Sequence, residues 1–336
     1  MKNRKVGGRV IVHRVQSRAL KRNPLEDPTE RDLYVYLPPG YEHDSSRTYP
    51  ALLALVGYMG TGGMFFNVNP FGEDLKTRLD RLIATGKCLP AIVVAPDCFT
   101  KVGGNQYINS TATGRYEDYL LHEIIPFVCK NYPIKNWGVF GKSSGGFGAM
   151  ALGMRHPDVF KALADHSGDS NFELCYLPDF PKALDAFHKA GGPARWLKKF
   201  WADSNRARER HMKPLNMLGM AAHYSPNPKS PHMGIDFPFD LDTGVFRPEV
   251  WKRWRLWDPV HMVSQYARNL KKLRLIYVDC GSEDEFSLHW GARALVDELR
   301  RRGIKPHYEE FKDGHMNTAY RYNRSIPLLV KALSKN

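Results

Sequence analysis

Residues Phe140–Gly148 read FGKSSGGFG, and this stretch carries two signatures of opposite chemistry. GKS ends a phosphate-binding loop, whereas Gly141-Lys142-Ser143-Ser144-Gly145 is GxSxG, the nucleophile elbow of serine hydrolases. A phosphate loop also needs a glycine five positions before Gly141, so that successive backbone N–H groups can wrap the anion, and that position holds Asn136. The elbow needs a buried strand, a sharp turn with the serine at its apex, and a helix directly after it. NWGVFG (136–141) supplies the strand and GFGAMALGM (146–154) a helix of small residues. Ser143 is then the apex, and Gly141 and Gly145 stand where a Cβ would collide across the turn. Ser144 cannot take that place, because its flanks would be Lys142 and Gly146.

Outward from the elbow, strand and helix patterns alternate, the mark of an α/β layer fold. RVIVHRVQSRAL (9–20) and RDLYVYLPPGY (31–41) alternate apolar and polar residues, as opening antiparallel strands exposed on one side do. YPALLALVG (49–57) and PAIVVAPD (90–97) are unbroken apolar runs suited to central parallel strands. Helical spacing marks 72–86 and 114–132, and three more strands are expected at 161–168, 273–281 and 306–315. A helix at 286–303 separates the last two, and a final helix follows from Asn317. The rhythm fails from Asp169 to Asn269, a stretch rich in Pro, Trp, Met and His. So long an irregular connection reads as an insertion, which divides the chain into a core of 1–168 and 270–336 and a cap at 169–269. Within it Trp251, Trp254 and Trp257 fall at helical spacing and read as a packed stripe.

Composition narrows the function classes. The 336 residues are 43% hydrophobic and 25% charged, without an apolar run of the length that spans a bilayer. The basic N-terminal residues lead into an alternating segment instead of an apolar signal core, so the expected location is the cytoplasm, with no membrane partner. The net charge of +14 sits in residues 1–24, with eight Lys/Arg and no acids, and in 179–274, with eighteen Lys/Arg against nine acids. No basic helix or aromatic-basic motif accompanies it, which excludes a nucleic-acid partner and leaves a solvated or anion-facing surface. If the cap covers Ser143, its basic excess favours anionic acyl groups. The cysteines (Cys88, Cys98, Cys129, Cys175, Cys280) are scattered and odd in number, as reduced, packed thiols are, and no metal spacing occurs. Asp240–Gly244 (DLDTG) lacks the spacing of a calcium loop and reads as an exposed turn.

A serine hydroxyl needs a base, and the base needs an acid to hold one tautomer. The strand LRLIYVDCG (273–281) ends in Glu283, Asp284 and Glu285, and the last strand ends in His315. Of the thirteen histidines, His315 alone follows the last strand and precedes the final helix. Serine, acid and histidine thus come in the chain order of an α/β-hydrolase, each in a loop after a strand.

YLPPGY (36–41), YPALLALVG (49–57), GKSSGGFGAMALGMRHPDVF (141–160), DCGSEDEF (279–286) and DGH (313–315) together resemble the esterase family of α/β-hydrolases, which includes esterase D (S-formylglutathione hydrolase), enterochelin esterases, feruloyl esterases and mycolyltransferases. The resemblance implies a mostly parallel sheet with helices on both faces. It favours Asp284, in the pattern G-x-x-D-x-F, as the acid, beside Ser143 and His315. Ser144, next to the nucleophile, offers one oxyanion donor, and the resemblance places the other at Tyr58, with Met59 as the near alternative. Two positions depart from the family: Lys142 replaces a histidine, and Val56-Gly57 replaces His-Gly. Gly57, Met59, Lys142, Asn105, Gln106 and Tyr107 are the candidate pocket residues, the last three because they follow a strand's carboxyl end. The expected activity is hydrolysis of a small-molecule ester or thioester through an acyl-enzyme, without cofactor. Acyl transfer by the same triad, or a non-catalytic binding module on the same fold, is the alternative.

Overall fold

In the computed structural model, which describes residues 7–41 and 46–335, the unbroken apolar runs form the middle of one eight-stranded sheet. Its strands are β1 (Arg9–Gln16), β2 (Glu30–Leu37), β3 (Tyr49–Leu55), β4 (Ile92–Pro96), β5 (Ile134–Lys142), β6 (Phe160–His166), β7 (Leu275–Gly281) and β8 (His307–Phe311). They lie in the order β1-β2-β4-β3-β5-β6-β7-β8. β1 pairs antiparallel with β2, and β2 with β4, while all other neighbours are parallel. The two alternating segments are thus the antiparallel edge, and the continuous runs are buried on both faces, as their patterns require. The basic residues 1–6 lie outside the described residues.

Strand alternation divides the core. Leu53, Leu55, Val139 and Leu163 face one layer, and Leu52, Ala54, Phe140 and Ala162 face the other. Helices α1 (Leu75–Ala84) and α10 (Tyr322–Ser334) cover the second face with Leu79, Leu82, Ile326, Leu329 and Val330. The first face is covered by α2 (Ile125–Asn131), α3 (Ser144–Arg155), α8 (Pro259–Leu270) and α9 (Leu288–Arg301). The helix expected over 114–132 is not uniform: a π-helical stretch, Tyr119–Ile124, precedes α2. Pro126 lacks the N–H that would bond back to His122, which fits a widened turn at this place.

The segment 169–269 is more helical than its irregular composition suggests. After the short turn Phe172–Cys175 it forms α4 (Phe180–Ala190), α5 (Pro193–Ala202), α6 (Glu209–Tyr224), α7 (Pro248–Arg255) and then α8. Several of these helices begin at a proline, whose missing N–H costs nothing in the first turn. Aromatic side chains weld the segment to the sheet layer. Phe147 of α3 lies 6.1 Å from Phe172 and 5.6 Å from Tyr224, and Tyr224 meets Trp254 at 5.4 Å. Trp251 and Trp254 are buried as the spacing predicts, whereas Trp257 lies beyond the end of α7 under the Arg155 guanidinium. The turn at Asp240 closes on itself, its carboxylate accepting from the N–H groups of Asp242 and Thr243. All five cysteines are free thiols, and Cys129 departs from the packed reading by lying exposed.

Candidate active site

The parallel register carries Gly141 beside Leu55 and Lys142 beside His166, so β5 delivers the elbow to the carboxyl edge of the sheet. Ser143 has φ 57° and ψ −127°, a backbone state that L-residues rarely adopt. Its N–H donates to His166 O at 2.9 Å, and its C=O accepts from Phe147 N at 2.9 Å, which holds the strained residue at the head of α3. A Cβ on Gly141 would stand 2.3 Å from Gly145 O, and one on Gly145 would stand 2.1 Å from Leu55 O. Both atoms are backbone, so only glycine fits on either side of the serine.

The loops after β7 and β8 bring Asp284 and His315 together. His315 Nδ1 and Asp284 Oδ2 are 2.8 Å apart, and both residues are buried. The other Asp284 oxygen accepts from Phe286 N at 2.9 Å and Leu288 N at 3.4 Å. Burial pushes the Asp284 carboxyl up, but the His315 hydrogen bond and charge and these two amides outweigh it and hold the pKa below the ordinary carboxylate value. Of the neighbouring acids, Glu285 takes a different part: its carboxylate accepts the His315 backbone N–H at 2.6 Å and so fixes the histidine loop. Glu283 is exposed.

Ser143, Ser144 and His315 line one cavity of about 610 Å³. Its other walls come from the β3 loop (Gly57, Tyr58, Met59), from residues 64–78, and from the insertion through Asp169, Tyr176, Asp179 and Lys213. Residues of the segment 169–269 therefore form part of the cavity wall. Of the candidate pocket residues, Gly57, Met59 and Lys142 line the cavity. Asn105, Gln106 and Tyr107 do not, which corrects the expectation from their place after β4. Asn105 turns inward to Cys98 O and Tyr107 N, and the Tyr107 hydroxyl bonds Val56 O behind the β3 loop. Gln106 is buried one layer back, where its Nε2 donates to Ser144 Oγ at 2.7 Å. The physical reason is that a buried loop must find partners for its polar groups, and these side chains turn inward to do so, with Gln106 Oε1 alone of them left sealed without a partner among the described residues.

Met59 N–H donates to Gly103 O at 2.9 Å, which removes it as an oxyanion donor. Among the described residues the N–H groups of Tyr58 and Ser144 have no protein acceptor, and both residues border the cavity. The Tyr58 ring is anchored away from them, its hydroxyl bonding Val102 O and, at 3.2 Å, Leu215 O of α6. Lys142 has no carboxylate within ion-pair distance among the described residues, and burial lowers its pKa against the pull of Asp284 and Glu285.

A second histidine–aspartate pair could mislead. His166 Nδ1 lies 2.7 Å from Asp279 Oδ1, and its Nε2 lies 2.8 Å from Ser325 Oγ. This set is buried between sheet and α10 and does not border the cavity; Arg321 also pairs with Asp279 at 2.9 Å. It is a packed polar network outside that cavity. Among the described residues the one cluster of metal-ligating side chains is Glu173, Asp258 and His261. Asp258 already accepts the amides of Asn171, Phe172 and Val260, and Glu173 pairs with Arg255, so the protein itself uses these oxygens.

A mostly parallel sheet that presents a strained GxSxG serine at its carboxyl edge, with an acid and a histidine after the following strands, defines the α/β-hydrolase fold. Over residues 27–326 the sequence matches the family described as "Putative esterase", and the chain belongs to that family. Its fold is shared by a ferulic acid esterase (TM-score 0.63, 18% identity, covering 97% of this chain and 98% of that one). It is shared too by a fluorophosphonate-binding serine hydrolase of Staphylococcus aureus (TM-score 0.60, 16% identity, 97% and 99% covered) and an S-formylglutathione hydrolase of Agrobacterium tumefaciens (0.59, 16%, 97% and 96%). A curated relative, an uncharacterised protein of Corynebacterium glutamicum, is 25% identical over 142 residues, which are 41% of this chain and 32% of that protein. The match thus spans about a third of that relative's length. Among the described residues no helix is long and apolar enough to cross a membrane.

Proposed function

We propose that the protein is a serine hydrolase acting on an ester or thioester of a small molecule, with Ser143 as nucleophile, His315 as general base and Asp284 as its orienting acid. The observation that carries this reading is the buried 2.8 Å His315–Asp284 hydrogen bond in the wall of the same cavity as the strained Ser143. With Asp284 on Nδ1, the histidine keeps Nε2 as the basic nitrogen and can take the Ser143 proton as Oγ attacks the carbonyl. The free N–H groups of Ser144 and Tyr58 supply the two donors that the tetrahedral oxyanion requires. His315 then protonates the departing alcohol or thiol, and a water activated by the same nitrogen releases the acid from Ser143. The insertion 169–269 acts as the cap, since its residues close one wall of the cavity. Free cysteines suit a reducing compartment, and the cytoplasm is the location this reading assigns.

Labelling with a fluorophosphonate, followed by peptide mass spectrometry, tests the reading on the wild type, Ser143→Ala and His315→Ala. The expected result is an adduct on Ser143 that disappears in both variants. A folded wild type that takes no label and hydrolyses no p-nitrophenyl or thioester substrate would leave only a binding module on the hydrolase fold.

A further inference from the structure

Asp169 is the first residue of the insertion, and only 6% of its surface is exposed, yet it lines the cavity with Ser143, Ser144 and His315. Three donors converge on one of its oxygens. Oδ2 accepts from Tyr176 Oη at 2.8 Å, from Ser144 Oγ at 3.1 Å and from Gln106 Nε2 at 3.4 Å. No donor among the described residues reaches Oδ1, and that atom is not among the sealed polar atoms left without a partner, so it opens on the cavity. The other carboxylates of the wall are occupied: Asp179 by Lys213 at 3.0 Å, Glu73 by Arg81, and Asp74 as the cap of α1. Burial raises the Asp169 pKa, opposed by the Tyr176, Ser144 and Gln106 hydrogen bonds.

A carboxyl group removed from water needs partners for both oxygens. Here one oxygen is fixed from three directions, which locks the side chain, and the other is left facing the space a substrate would fill. Ser144 links this group to the reacting centre, because its Oγ bonds Asp169 while its N–H borders the site of oxyanion formation. The distance from Oδ1 to the scissile carbonyl is therefore set by the fold.

We propose that Asp169 determines substrate specificity: its Oδ1 accepts a hydrogen bond from a hydroxyl or ammonium group on the substrate, so the preferred esters carry such a donor near the scissile carbonyl. This deepens the serine-hydrolase reading and rests on it. An ester lacking the donor would strand a buried acceptor against apolar atoms, and a site built around a polar group discriminates against such analogues more sharply than an apolar pocket discriminates by size. Tyr176 and Gln106 act as positioning residues through Asp169.

The test uses p-nitrophenyl esters in matched sets, with a hydroxyl, an ammonium or a methoxy group at successive acyl carbons, and phenyl acetates bearing the same groups on the leaving side. For the wild type we expect kcat/KM for the best donor ester to exceed that of its methoxy partner by roughly 10- to 100-fold, the range that one hydrogen bond to a charged group supports. The hydroxyl and ammonium arms tell which donor is read. In Asp169→Asn both esters should slow, and their ratio should fall towards one, with the KM of the donor ester rising more than that of the methoxy ester. Tyr176→Phe, which frees the carboxylate to move, should reduce the ratio less. A wild type indifferent to the donor overturns the proposal without any variant, and so does an Asp169→Asn enzyme that keeps the full preference. Failure of the underlying reading looks different: no adduct at Ser143 and no turnover of any member of the set.

Discussion

Replacing Asp284 by asparagine separates geometry from charge at the proposed base. The Asp284 side chain is fully buried, one oxygen 2.8 Å from His315 Nδ1 and the other receiving two backbone amides. An asparagine carbonyl has to stay with those amides, because turning the NH2 towards them would set donor against donor at about 1–3 kcal/mol. The NH2 then faces His315 Nδ1, which must accept, and the ring proton moves to Nε2. A histidine protonated at Nε2 cannot take the serine proton. Lost hydrogen bonding to the charged partner alone is worth about 1.5–3 kcal/mol, or roughly 10- to 100-fold in rate, and the wrong tautomer extends the loss to about 10⁴-fold in kcat. The assay is p-nitrophenyl acetate hydrolysis together with the second-order rate of fluorophosphonate labelling, on protein whose thermal midpoint confirms folding. A folded Asp284→Asn enzyme within about tenfold of wild-type kcat would refute the assignment of base and acid.

Other consequences follow from neighbouring groups. Gly145→Ala places a Cβ 2.1 Å from Leu55 O, and since overpacking by backbone costs at least about 1–3 kcal/mol, urea titration should show a clearly lower midpoint; an unchanged midpoint would contradict the turn geometry. His166→Ala leaves a buried Asp279 with one partner fewer and should cost roughly 3 kcal/mol in the same titration, while a neutral result would mean the network contributes little. Burial, with the charges of Asp279 and Asp169, pushes the Asp165 carboxyl up to about 8. The folded state therefore holds that proton more tightly than the unfolded chain, so this group's contribution is full below about pH 4 and declines as pH rises towards 8. Asp165→Asn should then gain thermal midpoint over the wild type at pH 8.5 and lose that advantage near pH 4; the reverse trend would refute the sign. Asp279 and Asp284 act in the opposite sense, their depressed values giving stability that is lost as pH falls through the acid range.

The elbow was legible because its requirements are local. Gly141 and Gly145 lie within two residues of Ser143, and the strand before and helix after it announce themselves by apolar run and small-residue pattern. The order of serine, acid and histidine was legible for a related reason: each sits at the end of a strand whose apolar pattern marks it. Between Glu283, Asp284 and Glu285 the residues alone left a choice, and only the fold shows Asp284 turned to the imidazole and Glu285 to the histidine backbone. Gln106 looked like pocket lining because it follows a strand's carboxyl end, but the hydrogen bonds its Nε2 donates to Ser144 and Asp169 hold it behind the wall. Asp169 escaped notice at the start of an irregular segment. Its place beside Ser143 depends on the aromatic packing of Phe147, Phe172, Tyr224 and Trp254, the first and last more than a hundred positions apart. Sequence by itself determined the layer fold and pointed to the side chains proposed to react, since both readings follow from periodicity and turn sterics within short windows. The shape and polarity of the cavity were decided by tertiary structure, because they arise where distant segments bury apolar surface against each other and their polar atoms must then find partners across that contact.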